Sequence, residues 1–136
     1  MTEFRTVTED FAVSPQIAPA DVAAAADRGF ALIINNRPDG EAPDQPANAA
    51  IEAAARAAGL AYLYLPVVGR ASPEQIVAMG EAIDAGGGKT LAFCRSGARS
   101  ITTWALAQLA AEKRGREALI ALGAGAGYDV SAALRS

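Results

Sequence analysis

The sequence predicts an α/β fold with three layers, in which a central parallel sheet is flanked by helices on both faces. Short apolar runs alternate with helical patterns along the 136 residues, and such alternation is typical of a parallel sheet covered on both sides. An excess of alanine favours helices between the strands. No internal repeat or long linker divides the chain, so we expect one domain over residues 1–136.

The first half of the chain contains two strand patterns and a helix. We expect a short strand at 11–13 and a helix over 19–28 that begins at a proline and ends at a glycine. The continuous apolar run at 30–35 has the length of a buried strand. Residues 37–46 consist largely of turn formers and predict a loop.

The second half continues the alternation. A helix is expected over 48–58 with Asn48 as its N-cap, followed by a strand at 61–67. Ser72 and Gln75 have the spacing of a capping box. The further predicted elements are a helix from Ser72 to about 85, a strand at 90–93, a helix from Ser100 to about 114 and a weaker helix at 116–122, after which the glycines of 123–127 are expected to break the chain.

Composition excludes several functional classes. The net charge of −3 offers no basic surface for nucleic acid and no polybasic membrane patch. No apolar stretch approaches the ~20 residues of a spanning helix, and the N-terminus does not resemble a signal peptide. A single cysteine forms no internal disulfide, so a cytoplasmic location is expected. Histidine is absent, which removes Cys-His catalysis and disfavours a metal site, and we expect no cofactor.

The only cysteine has the surroundings that a nucleophilic thiol needs. Cys94 follows the strand at 90–93 and precedes a helix, and ligands of parallel sheets bind where strands end. The backbone amides of such a loop and the positive end of the helix form a cradle for an anion. Arg95 and Arg99 would favour the thiolate and bind an anionic substrate. The alternative is a buried structural cysteine. That role would not account for the two arginines beside Cys94.

The loop "CRSGARS" (94–100) resembles two known active-site loops. It is similar to the loop of single-domain rhodanese sulfurtransferases, whose cysteine carries a persulfide, and less closely to the loop of protein tyrosine and dual-specificity phosphatases. In those phosphatases five residues separate the cysteine from the arginine, whereas here Arg99 arrives one residue early. The resemblance implies that Cys94 and Arg99 are catalytic. The amides and side chains of Arg95, Ser96, Gly97, Ala98 and Ser100 would then bind the substrate, with the two serine hydroxyls available to a sulfur anion.

Other segments extend the resemblance over nearly the whole chain. The segments "FAVSPQI" (11–17), "INNRPDGE" (34–41), "QPA" (45–47), "YLYLPV" (62–67), "CRSGARS" and "AGYDVS" (126–131) occur in this order. Together they resemble the phosphatase-like domain of the beta-lactamase-hydrolase-like family. This resemblance implies a protein tyrosine phosphatase-like fold.

Two departures from working phosphatases bear on the predicted activity. Gly69 stands nearest the position of the general-acid aspartate, and Phe93 replaces the histidine before the cysteine. Without an acid, an alkoxide or phenoxide must leave unprotonated, which forfeits roughly 10²–10⁴-fold in rate. Sulfur transfer from thiosulfate needs no such proton. The sequence therefore favours a sulfurtransferase that moves sulfur from a small anionic donor to a thiol acceptor through a Cys94 persulfide.

Two alternatives to the sulfurtransferase remain open. One is a cysteine-dependent phosphatase acting on phosphotyrosine or a small phosphomonoester, for which Asp39, Glu41 or Asp44 on the 37–46 loop would have to replace the acid. The other is a non-catalytic module that binds an anion or a persulfide. Arg37 is expected at the same sheet edge as Cys94, where it either binds substrate or pairs with a carboxylate of its loop.

Three aromatic residues are assigned to the core rather than to the site. Tyr62 and Tyr64 alternate along a predicted strand, and Trp104 lies on a helix that packs on the sheet.

Overall fold

The computed structural model describes residues 3–135 as a five-stranded sheet between two helical layers. The strands are β1 (Arg5–Thr8), β2 (Phe11–Ser14), β3 (Phe30–Asn35), β4 (Ala61–Tyr64) and β5 (Lys89–Phe93). The helices are α1 (Pro19–Asp27), α2 (Asn48–Ala57), α3 (Pro73–Ala85), α4 (Ala98–Ala110) and α5 (Arg116–Gly125). The predicted three-layer α/β architecture is confirmed. Within the described residues no helix has both the length and the hydropathy needed to cross a bilayer.

The strand order is β1-β2-β5-β3-β4. Strands β2, β5, β3 and β4 are parallel, as expected, whereas β1 pairs antiparallel with β2. The sequence analysis assigned no element to residues 5–8, because a short and largely polar edge strand lacks the apolar run that marks a central one. Strand β5 lies at the centre, so its end is enclosed by β2 and β3.

Two apolar cores lie on opposite faces of the sheet. One face packs against α1 and α2, with Ile51 fully buried, and the other packs against α3, α4 and α5. Trp104 stacks on Phe11 with ring centroids 5.0 Å apart, which confirms its predicted place in the core. Successive side chains of β5 alternate between the faces, as the pleat of a strand requires.

Several element boundaries differ from the prediction. Helix α4 begins at Ala98 and ends at Ala110, because Gly97 and then Glu112 adopt positive φ angles of 94° and 56°. Helix α5 runs through Gly123 and Gly125, so the expected break at 123–127 is wrong for most of that stretch. A Cβ atom at Gly123 would lie 3.1 Å from the Val130 side chain. The glycine therefore lets the C-terminal segment pack closely on α5.

The end of the strand predicted at 61–67 and the start of the helix predicted at 48–58 also differ from the prediction. Strand β4 ends at Tyr64, although the amides of Leu65 and Val67 still donate to the carbonyls of Asn35 and Asn36. Asn48 is the first residue of α2 rather than its N-cap, and its backbone N–H donates to Asp39 Oδ1 at 2.8 Å. A carboxylate from the preceding loop therefore caps this helix. The capping box of Ser72 and Gln75 is confirmed.

Candidate active site

Cys94 lies directly after the central strand β5, at the edge of the sheet where parallel strands end. Its side chain is fully buried, and the Gly97 N–H donates to its Sγ at 3.1 Å. The α4 helix begins at Ala98, so the positive end of its dipole adjoins the loop. A backbone N–H and a helix N-terminus beside one sulfur together offer donors that an anion could use.

Gly97 allows the tight turn that brings this amide to the sulfur. Its φ of 94° is in the left-handed region that favours glycine. A Cβ atom at this position would lie 2.2 Å from the Tyr128 hydroxyl oxygen and 3.4 Å from the Ser14 carbonyl oxygen. Both the backbone angle and the close approach of Tyr128 therefore require glycine here.

Arg99 is held by three strong hydrogen bonds. Its Nη1 donates to Glu41 Oε2 at 2.7 Å and to the Val67 carbonyl at 2.8 Å, and its Nη2 donates to Glu41 Oε1 at 2.8 Å. This forked pairing with a carboxylate fixes the guanidinium plane as well as its charge. Hydrogen bonding to Glu41 raises the pKa of Arg99, and the charge of Cys94 contributes in the same direction.

Glu41 is shared between two arginines. Arg37 is almost fully buried, and its Nε donates to Glu41 Oε1 at 3.0 Å while its Nη1 donates to Gln16 Oε1 at 3.1 Å. The hydrogen bond from Arg99 lowers the pKa of Glu41 most, burial opposes it, and the hydrogen bond from Arg37 lowers it further, so that the pKa is about 2. Glu41 is therefore ionised at neutral pH. A permanently ionised carboxylate has no proton to give to a leaving group.

The loop that carries Glu41 is anchored by polar side chains. The Asp39 amide donates to the Tyr64 hydroxyl at 2.9 Å, and the Gln45 side-chain amide donates to the Pro38 carbonyl at 2.9 Å. The Tyr62 hydroxyl donates to Asn48 Oδ1. Burial raises the pKa of Tyr62 to about 12. Both strand tyrosines are half-buried. The Tyr62 ring packs against the core beside α1 and α2, and both hydroxyls bind polar partners.

A buried polar pair ties α4 to β3 beside the sulfur. The Ser100 hydroxyl donates to Asn36 Oδ1 at 2.8 Å, and the Asn36 side-chain amide donates to the Leu65 carbonyl at 2.9 Å. Both residues have 0% exposure. Buried polar groups are stable when they are paired in this way. The Ser100 hydroxyl donates to Asn36 in this structure, and its predicted role towards a sulfur anion stays a prediction.

Two further residues support the loop from the side of β2 and the C-terminus. The Gln16 backbone N–H donates to the Arg95 carbonyl at 3.3 Å, and the Tyr128 hydroxyl donates to the Ser96 carbonyl at 2.7 Å. Burial raises the pKa of Tyr128. Its ring also lies 5.2 Å from the Arg5 guanidinium carbon, within the range of a cation–π contact.

The remaining predicted site residues differ in exposure and in hydrogen-bond partners. Three of them are exposed: Arg95, Ser96 and Ala98. The Arg95 side chain therefore lies at the protein surface. Ser96 Oγ accepts the Ala98 amide at 3.3 Å. Arg37 forms the carboxylate pair that was one of its two predicted roles. A direct contact between Arg37 and substrate stays a prediction.

The site also contains residues that sequence reasoning did not single out. Asn36, Gln16 and Tyr128 belong to the segments that carry the family resemblance, and the structure brings those segments together around Cys94. Polar residues that directly follow an apolar strand, such as Asn36, are the signal that could have found part of this network. Tyr128 gives no such signal, because it lies 34 residues along the chain from Cys94.

The loop matched to the phosphatase acid position contains no carboxylate. Val68 is 80% exposed, and Gly69 and Arg70 are also exposed. Of the predicted substitutes, Glu41 is ionised and paired, Asp39 caps α2, and Asp44 is exposed. No group in this set combines an available proton with a fixed place beside Cys94.

The sequence and the fold match those of known proteins. A family model described as "Beta-lactamase hydrolase-like protein, phosphatase-like domain" matches residues 3–111. The chain belongs to this family. A beta-lactamase hydrolase-like protein of Xylella fastidiosa is 40% identical over 129 residues, which cover 94% of this chain and 30% of that protein. The chain thus spans about a third of the length of the curated relatives it matches.

Solved structures of phosphatase-like proteins share the fold. A protein of Neisseria meningitidis, provisionally described as a phosphatase, is 28% identical with a TM-score of 0.82, over 94% of this chain and 91% of its own. A cysteine-to-serine variant of TpbA from P. aeruginosa in complex with pTyr is 16% identical with a TM-score of 0.71, over 98% and 83%. The protein tyrosine phosphatase-like fold implied by the sequence is confirmed.

Proposed function

We propose that this family member acts, as one domain, as a cysteine-dependent phosphatase on small phosphomonoesters, fastest on aryl phosphates with acidic leaving groups and slower on phosphotyrosine. One observation carries the proposal: the buried Cys94 sulfur accepts the Gly97 amide at the N-terminus of α4. Arg99 follows in the first turn of that helix. This arrangement combines a nucleophile with donors for an oxyanion.

The reaction has two displacement steps at phosphorus. The Cys94 thiolate forms a bond to phosphorus, and the bond from phosphorus to the leaving oxygen breaks, so that the electron pair departs on the aryloxide. Water then forms a bond to phosphorus, the P–S bond breaks, and inorganic phosphate and the thiolate are released. Arg99 and the loop amides bind the equatorial oxygens in both steps, where their charge stabilises the transition state.

The preference for acidic leaving groups follows from the carboxylates of the site. Gly69 stands at the acid position and Glu41 is ionised, so the leaving oxygen departs without a positioned proton donor. An aryloxide stabilised by an electron-withdrawing group leaves readily, whereas an alkoxide does not. We therefore expect the rate to depend steeply on the acidity of the leaving group.

The phosphatase takes precedence over the sulfurtransferase that the sequence analysis preferred. The family model and the solved neighbours that share this fold are phosphatase-like. The TpbA complex contains pTyr, an aryl phosphate. Arg99 lies one residue nearer the cysteine than the arginine of phosphatases does, and the general acid is missing. Both features favour sulfur transfer, so thiosulfate is included in the same test.

The test compares leaving groups and donors on the same protein. p-Nitrophenyl phosphate should be hydrolysed faster than phenyl phosphate by roughly 10²–10⁴-fold, the contribution that a general acid would otherwise make. Cys94→Ser, checked for native circular dichroism, should abolish both activities. Transfer of sulfur from thiosulfate to a thiol with no phosphate release would identify a sulfurtransferase. Retained phosphate release in Cys94→Ser would refute the nucleophile, and anion binding without turnover would leave a binding module.

A further inference from the structure

The C-terminal segment contributes a side chain to the Cys94 loop. Tyr128 lies beyond residues 3–111, the range that the family model matches, and its hydroxyl donates to the Ser96 carbonyl at 2.7 Å. The Ser96 carbonyl belongs to the same peptide group as the Gly97 N–H, which donates to Cys94 Sγ at 3.1 Å. Two hydrogen bonds therefore engage the two ends of one peptide group.

The geometry of the peptide bond couples these two contacts. In a trans peptide the C=O and N–H point in opposite directions, and the plane is rigid. A hydroxyl that holds the carbonyl on the outside of the loop therefore holds the amide towards the sulfur. Gly97 has little steric resistance to other backbone angles. Without an external contact, this peptide plane is the easiest one in the loop to rotate.

The Tyr128 ring is itself held in place. The Arg5 guanidinium on β1 lies 5.2 Å from the ring centroid, and the Tyr128 amide donates to the Gly123 carbonyl at 2.9 Å. Val130, two residues after Tyr128, is buried against α5. The hydroxyl is thus fixed from β1, from α5 and from the C-terminal turn.

We infer that Tyr128 is a positioning residue, which orients the Ser96–Gly97 peptide so that its N–H faces the Cys94 sulfur and, later, the substrate oxyanion. The role of that N–H towards a phosphoryl group rests on the proposed function. The effect on the sulfur does not, because it requires only that Cys94 ionises.

The experiment measures the alkylation of Cys94 by iodoacetamide as a function of pH. Because Cys94 is the only cysteine, one modification reports on one site. Tyr128→Phe removes the hydroxyl and keeps the ring, so the thiolate loses an oriented donor. The pH midpoint of alkylation should rise, and alkylation at neutral pH should slow by about threefold to tenfold, the worth of one hydrogen bond. Arg99, the charged side chain that interacts with Cys94, is unchanged in this variant.

Ser131→Ala is the control. It removes a hydroxyl of the same C-terminal segment, which donates to Asp129 Oδ1 at 2.6 Å rather than to the Cys94 loop. A loss of stability alone would affect both variants, whereas only Tyr128→Phe should move the alkylation midpoint. An unchanged midpoint in a folded Tyr128→Phe would overturn the inference. A shift in Ser131→Ala of the same size would overturn it too.

A second measurement on the unaltered protein covers the case in which Tyr128→Phe does not fold. The Gly97 amide resonance in nitrogen–proton NMR spectra should move with the ionisation of Cys94, at the midpoint found by alkylation. A Gly97 resonance that is insensitive to that ionisation would contradict the inference. If aryl phosphates are not hydrolysed at all, the proposed function fails, while the alkylation midpoint still tests Tyr128 and the Gly97 resonance still tests the N–H contact that Tyr128 is inferred to hold.

Discussion

The Cys94 loop is supported from two sides by different chemistry. On the side of β3, the Glu41 carboxylate binds the Arg99 guanidinium through two hydrogen bonds and is backed by the buried Arg37. On the side of the C-terminus, the neutral Tyr128 hydroxyl binds the Ser96 carbonyl. The first support acts on a side chain, and the second acts on the backbone.

This difference separates two requirements of an anion site. A guanidinium held by a carboxylate is oriented, but the carboxylate also competes with any anionic substrate for the same donors. A neutral hydroxyl on a carbonyl orients an amide without adding charge near the substrate. The charged support should therefore respond to pH and salt, whereas the neutral support should respond to steric changes.

Replacing the side chain at the centre of the charged support should have the largest effect. Arg99→Lys keeps the charge but loses the forked geometry towards Glu41 and the oxyanion, so kcat/KM for p-nitrophenyl phosphate should fall by about 10²–10³-fold. Arg56→Lys is the matched control, because the exposed Arg56 also pairs with a carboxylate, Glu52, but within α2. Equal rates for Arg99→Lys and the unaltered protein would show that the fork plays no part.

Filling the contact between Gly97 and Tyr128 should break the neutral support. Gly97→Ala introduces strain of about 1–3 kcal/mol at its left-handed φ angle, and its Cβ displaces the Tyr128 hydroxyl. Gly59→Ala is a close control, since its φ of 79° is similar and a Cβ there meets nothing within 4 Å. Chemical denaturation should show a loss of stability in both variants, whereas activity should fall only in Gly97→Ala. Unchanged activity in Gly97→Ala would contradict the contact.

Neutralising the shared carboxylate should have a moderate effect on stability. Glu41→Gln leaves the buried Arg37 without its charged partner, and because the Glu41 side chain is partly exposed we expect a loss of about 1–2 kcal/mol in the free energy of unfolding. The comparison is Glu52→Gln, which breaks an exposed pair with Arg56 and should cost about 0.5 kcal/mol or less. Similar losses in urea titrations of the two variants would argue against a special role for Glu41.

Acidification should produce the smallest and most gradual change. The pKa of Glu41 is about 2 in the folded chain against an ordinary value of 4.5, so its contribution to stability is fully present above pH 4.5 and declines as the pH falls towards 2. The difference in free energy of unfolding between the unaltered protein and Glu41→Gln should shrink over that window. A difference that stays constant from neutral pH to pH 2 would refute the pairing.

The sequence predicted the parts of this molecule that depend on local patterns. The apolar run at 30–35, the capping box at Ser72 and the placement of Cys94 after a buried strand follow from periodicity and turn chemistry, and all three are found. Strand β1 was missed because its pairing with β2, rather than its own composition, makes it a strand. Local propensity carries no information about such a partner.

The site was predictable only where its residues are neighbours in sequence. Cys94 and Arg99 share one loop, so their proximity could be inferred. The partners Glu41 and Tyr128 are distant in the chain and reach the loop through tertiary folding. The preference for sulfur transfer arose from the short loop and the missing general acid, whereas the family and the fold favour the phosphatase.

The most direct measurement is the intact mass of the protein during turnover. Among the described residues, Glu41, Asp39 and Asp44 are not positioned to speed hydrolysis of the P–S bond. Rapid acid quenching after p-nitrophenyl phosphate should therefore trap a chain heavier by one phosphoryl group, and Cys94→Ser should not gain it. Thiosulfate should add nothing to either protein. A chain heavier by one sulfur atom after thiosulfate, with no phosphoryl adduct, would contradict the account and identify Cys94 as a sulfur carrier.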